Sequence, residues 1–165
     1  MPATVERQVA YKVWLASLHS SEYVKQEGWD PNYVVLGGKQ VSRVHVVATV
    51  VSKFVADDGN YGALTIDDGS ETIRVKAFGP DVKRVENAKV GELVRFVGKV
   101  KEYNEEVYLS PEIVKPLNSP NWLIAHQLEL GEMPARESTD TSSTKQESLA
   151  TDAIKEEKTV VDESV

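Results

Sequence analysis

The chain has 165 residues and no cysteine, which excludes disulfide staples and thiolate metal sites. Its three histidines, His19, His45 and His126, lie far apart without ligand-like spacing, so neither a metal nor any other cofactor is expected. Long apolar runs are missing as well: Val44 to Val51 falls far short of the ~20 residues a membrane helix needs. The N-terminus has no cationic stretch leading into an apolar one, so no secretory leader is expected and the chain reads as cytoplasmic. There is no GxxxxGK[ST] loop, GxSxG elbow or HExxH helix. The carboxylates Asp67 and Asp68 belong to an Asp-Gly turn without converging partners, so catalysis is not expected.

A positive excess is also lacking. The net charge is −7, but residues from Glu132 to Val165 carry nine acids and four bases, or −5, which leaves −2 for the remainder. Residues 37–117 hold twelve acids and twelve bases. Any affinity of this segment for a polyanion must therefore come from a local face and not from a bulk field.

What the chain does contain is a change of rhythm. Tyr11, Trp14, Leu15 and Leu18 follow helical spacing, which predicts an amphipathic helix over about Val5 to Lys25 whose stripe plugs its own domain. Asp30-Pro31 and Gly37-Gly38 then turn the chain around a short strand, Tyr33 to Leu36, so residues 1–38 form a helix and lead-in. Residues 39–117 switch to period two, rich in β-branched residues, with strands expected at Val41–Val55, Tyr61–Asp67, Thr72–Phe78, Leu93–Tyr103 and Val107–Val114. A short helix started by Pro80 follows the third strand. Three strands, a helix and two strands is the order of an all-β, five-stranded OB-fold barrel. A second helix is expected over residues 118–131, capped by Asn118 or Ser119 with Pro120 in its first turn, and the polar, acidic segment 132–165 cannot bury enough apolar surface to order itself.

Two strands carry the chemistry. In the third, Ile73, Val75 and Ala77 alternate with Arg74, Lys76 and Phe78; in the fourth, Lys99, Lys101 and Tyr103 share one face. A row of cations tracks phosphates, and a flat ring beside it stacks on an unpaired base regardless of sequence. The same layout also serves a plain solubilised sheet face with rings covering a barrel end. Lys53, Phe54, Tyr61 and Tyr108 are further candidates at strand ends beside these rows.

The runs VSRVHVVATVVSKF, YGALTIDDGSETIRVKAFG and VGELVRFVGKVKEYNEEVYLSPEIVKPL, followed by NWLIAHQLEL, resemble the OB domain of the middle subunit of replication protein A. The resemblance is strongest to the archaeal form and extends to the matching subunit of the telomere-associated CST complex, over about Val5 to Leu130. It implies a nucleoid-associated single-stranded DNA-binding subunit of a multi-subunit complex acting in replication and repair. Rings ending the third and fourth strands would stack on bases, here Phe78 and Tyr103, and the helix after the barrel would dock sister OB subunits through Trp122, Leu123, Leu128 and Leu130. The winged-helix domain that often follows in this family is replaced here by about thirty polar residues. Two other readings stay open: an assembly module that contacts DNA weakly, and an RNA-binding module of the same fold.

Overall fold

A computed structural model describes residues 8–134. In chain order the elements are β1 (Ala10–Lys12), α1 (Leu15–Ser20), β2 (Tyr23–Val24), β3 (Tyr33–Leu36), β4 (Lys39–Val41), β5 (Arg43–Val55), β6 (Tyr61–Asp67) and β7 (Thr72–Phe78). A single 3-10 turn at Gly79–Asp81 leads into α2 (Val82–Glu86), followed by β8 (Leu93–Tyr103), β9 (Glu106–Leu117) and α3 (Asn121–Leu130). The acidic tail expected over 132–165 lies, from residue 135 onward, outside the described residues.

Five strands close into a ring, β5-β6-β7-β9-β8 and back to β5. Closure depends on β5 serving two neighbours. Its first half, Arg43 to Thr49, pairs with β8, and its second half, from Thr49 to Val55, pairs with β6. A register shift between Val50 and Ser52 bends the strand from one neighbour to the other, as a bulge does. The parallel contact of β7 with β9, at Val75 and Leu109, completes the barrel. A second shift, between Val97 and Gly98, lets β9 bend around Pro111.

The alternation read from the sequence fills the interior. Val44, Val46, Ala48 and Val50 of β5 meet Leu64, Ile66, Ile73, Val75, Phe96 and Leu109, all buried. Helix α2 covers one end with Val82 and Val85, and it comes so close to β6 that a Cβ on Gly62 would lie 2.9 Å from Val85 Cγ2. Among the described residues, no helix is long and apolar enough to cross a membrane.

The N-terminal segment differs from the expected helix over Val5–Lys25. Residues 10–12 form a strand that pairs in parallel with β5, Tyr11 opposite Val44, and among the described residues of this stretch only Leu15–Ser20 is helical. Ser20 Oγ donates to the Ala16 carbonyl and Ser21 Oγ to the Leu18 carbonyl, a local competition that ends the helix early. The stripe still faces inward: Trp14, Leu15 and Leu18 are buried against the barrel. Beyond α1 the lead-in forms its own small sheet, β2-β3-β4, whose Gly37-Gly38 hairpin takes positive φ at both positions.

Candidate nucleic-acid interface

The outward residues of β6 and β7 pair across the hairpin, Tyr61 with Phe78, Ala63 with Lys76 and Thr65 with Arg74. Small partners beside long cations leave a shallow strip of sheet. Three rings line one end of it. The Tyr61 centroid lies 5.3 Å from that of Phe78 and 6.1 Å from that of Phe54, with the planes tilted by 46° and 50°. Phe54 and Phe78 remain 58% and 57% exposed, so this cluster holds apolar ring surface in water without covering it.

From β7 the surface continues around the barrel. Lys76 Nζ sits 4.8 Å from the ring centroid of Tyr108 on β9 and 4.0 Å from a Glu106 carboxylate oxygen. Tyr108 is paired with Lys101, and Glu106 with Tyr103, across the β8–β9 hairpin. Tyr103 is 66% exposed beside the Asn104-Glu105 turn, where both residues adopt positive φ. Burial, with a contribution from Tyr23, raises the Tyr108 phenol above its ordinary value, so its ring stays neutral.

The expected residues thus fall into three situations. Arg74, Lys99 and Lys101 are exposed and have no carboxylate partner among the described residues. Lys76 is half-buried and already committed to Tyr108 and Glu106. Lys53 donates to the Glu86 carbonyl at the end of α2, and its cross-strand partner is the buried Leu64, so it points away from the ring cluster. Phe54, a further candidate at the end of its strand, lies with Ser52 on the outward side of β5 and joins the ring cluster.

Helix α3 sits against the outside of the barrel. His126 is buried with its ring centroid 5.6 Å from that of His45 on β5, Trp122 lies over the Arg95 guanidinium at 5.2 Å, Glu129 pairs with Lys12, and Gln127 Nε2 donates to the Asp68 carbonyl at 3.2 Å. Burial, then the neighbouring His126 and the cations Arg95 and Lys12, lower His45 to about 4; burial and Lys12 lower His126 as well. The helical period puts Leu123, Gln127 and Leu130, all partly covered, on the same side as His126. The opposite side presents Ile124, Ala125 and Leu128 to solvent, Leu128 at 77% exposure, with Trp122 half-exposed at its edge. Of the four residues expected at a subunit interface, Leu128 and Trp122 are available from outside, and Leu123 and Leu130 turn toward the barrel. Ile124, four residues before Leu128, joins the outward stripe.

Among the described residues no group of three or more potential metal ligands converges. A closed five-strand ring with its helix between the third and fourth barrel strands decides the architecture. The barrel is an OB fold. Residues 44–117 match the family model of the OB-fold nucleic acid binding domain. No curated protein matches the sequence. Solved structures do: a chain of a replication protein A heterotrimer bound to single-stranded DNA superposes with a TM-score of 0.62 at 18% identity, covering 74% of this chain and 93% of that one. The Stn1–Ten1 complex of S. pombe gives 0.61 at 17%, with 74% and 89% covered. Yeast replication protein A bound to single-stranded DNA gives 0.58 at 23%, with 73% and 86% covered. The OB fold of this chain is thus similar to those of replication protein A and Stn1–Ten1.

Proposed function

We propose that the chain is a non-catalytic, single-stranded DNA-binding subunit of a heteromeric complex of the replication protein A type, serving replication and repair on nucleoid DNA. One observation carries this reading: solvent-exposed rings, Phe78 and Tyr103, bound a surface on which Arg74, Lys99 and Lys101 lack carboxylate partners among the described residues. Rings supply sequence-tolerant stacking of ~1–3 kcal/mol per base, and free cations supply phosphate contacts. The barrel segment is electrically balanced, so intrinsic affinity is modest and tethering to partner subunits raises it through effective concentration. The outward stripe of α3, Trp122, Ile124 and Leu128, is the surface that holds those partners.

The test is fluorescence anisotropy of labelled single-stranded DNA, duplex and RNA against the full chain and its Phe78→Ala plus Tyr103→Ala variant. Preference for single-stranded DNA, lost in the variant, supports the reading. The exposed stripe of α3 favours a second one, an assembly module that touches nucleic acid weakly. Absent binding at high micromolar protein would favour that module, and a preference for RNA would replace the ligand.

A further inference from the structure

The ring surface does not account for Trp29. Of the three tryptophans, Trp14 is buried and Trp122 lies over Arg95, whereas Trp29 is fully exposed on the loop between β2 and β3. That loop is pinned at its base, since the Gln26 N–H donates to Asn32 Oδ1 at 2.8 Å and Gly28 turns the chain with φ +83°. Held in water on a fastened loop, the whole face of this ring is open to stacking. The loop forms one wall of a groove of about 710 Å³, and Lys99, Lys101 and Arg43 line the other.

The charges of this groove leave its lysines available. Glu112 is paired with Arg43 at 2.8 Å and Glu102 with Lys25 at 3.7 Å, so Asp30 is the remaining acid of the lining against Lys99 and Lys101. The two lysines also connect the groove to the first surface. Lys99, Lys101 and Tyr103 follow one another on one face of β8, and four residues of extended strand span about 13 Å. Tyr103 stands at one end of this cationic row, and the groove that Trp29 borders runs alongside it, lined by both lysines and by Glu102.

The geometry points to a second base-stacking station: single-stranded DNA that passes Tyr103 continues along Lys101 and Lys99 and lays a base on the ring of Trp29. This rests on the single-stranded DNA reading above and extends its path beyond the barrel strands to the lead-in. A tryptophan face suits any base, and the amides of Gln26 and Asn32 at the groove offer donors and acceptors to base edges.

The experiment uses the full chain in a Trp122→Phe background, with labelled oligothymidylates of about four and about sixteen nucleotides, the range of site sizes for one OB fold. Trp29→Ala is expected to weaken the long oligomer at least about fivefold and the short one less than about twofold, and Trp29→Phe to restore most of the loss. Binding of the long oligomer is also expected to quench tryptophan emission, since Trp14 is shielded. If Trp29→Ala binds both lengths like its parent while Phe78→Ala plus Tyr103→Ala does not, the second station is wrong and the DNA-binding reading stands. An equal loss at both lengths would place the ring within the first site and overturn the second. Absence of binding by the parent at every length overturns both. Unchanged DNA binding together with altered self-association in sedimentation would make Trp29 a protein contact instead.

Discussion

The buried carboxylate of Asp68 accepts a hydrogen bond from the backbone N–H of Leu15 at 2.9 Å, across 53 residues of chain. Ser70 Oγ accepts the next one, from Ala16, at 3.1 Å, and itself donates to Asp68 at 2.6 Å. The turn after β6 therefore caps α1, a helix with no side-chain cap of its own and too short to persist alone. This explains how an isolated six-residue helix delivers Leu15 and Leu18 to the core.

Asp68→Ala is expected to lower stability by about 2–4 kcal/mol, since it removes a cap and leaves buried N–H groups unpaired. Ser70→Ala is expected to cost about 1 kcal/mol, and the double variant less than the sum, because both side chains belong to one network. Urea unfolding of the four proteins measures this; additive losses would show that the two side chains act independently.

The pairing of His45 with His126 makes stability depend on pH. Both are lowered, His45 to about 4, by burial and by the cations Lys12 and Arg95, with Glu129 and, for His126, Asp68 opposing. Below about pH 6.5 the unfolded chain takes up protons that the folded one refuses, so stability is full above that pH and falls as pH drops toward 4. A loss of roughly 1–2 kcal/mol, allowing for solvent screening, is expected between pH 7 and 4.5. Thermal melts across this range check it, and His45→Gln should flatten the dependence.

Gly98 sits where β8 and β9 change register, and no side chain fits there. A Cβ would lie 2.1 Å from the Ser110 carbonyl oxygen and 2.6 Å from Phe96 Cζ. Gly98→Ala is expected to cost about 3 kcal/mol or more, since neither backbone nor a fully buried ring can yield cheaply. Melting would fall by roughly 4 °C for each kcal/mol. By contrast, at Gly62 the nearest atoms are valine methyls, and Gly62→Ala should be milder.

The barrel was legible in the sequence because its signals are local. Alternation in IRVKAF and the Asp-Gly turns fix β6 and β7 at the expected residues, and β8 also begins and ends where the pattern does. The N-terminal segment was misread for the opposite reason. The spacing of Tyr11, Trp14, Leu15 and Leu18 fits a helix, yet residues 10–12 are drawn into a parallel pairing with β5, a partner more than thirty residues away. Asp68 looked like a turn residue and is one, but its capping role depends on where α1 comes to rest. At the candidate site, alternation located Arg74, Phe78, Lys99, Lys101 and Tyr103 on outward faces, whereas the ion pairing of Lys76 and the turning away of Lys53 depend on β9 and α2. Trp29 carried no periodic signal at all.

Those differences among the cations lead to a prediction about salt. A lysine that meets a phosphate releases condensed counterions, and for single strands each contact contributes about −0.7 to the slope of log K against log salt. Lys99→Ala and Lys101→Ala should each reduce the magnitude of that slope by about 0.7, because neither cation has a carboxylate to give up among the described residues. Lys76→Ala should change it less, since Lys76 is already engaged with Glu106 and Tyr108, and Lys53→Ala should leave it unchanged because Lys53 serves the end of α2. Titrations of labelled single-stranded DNA at several salt concentrations give the four slopes. Equal changes in all four would mean that the barrel attracts DNA through its general charge, whereas the expected ranking would trace the strand to the outward face of β8.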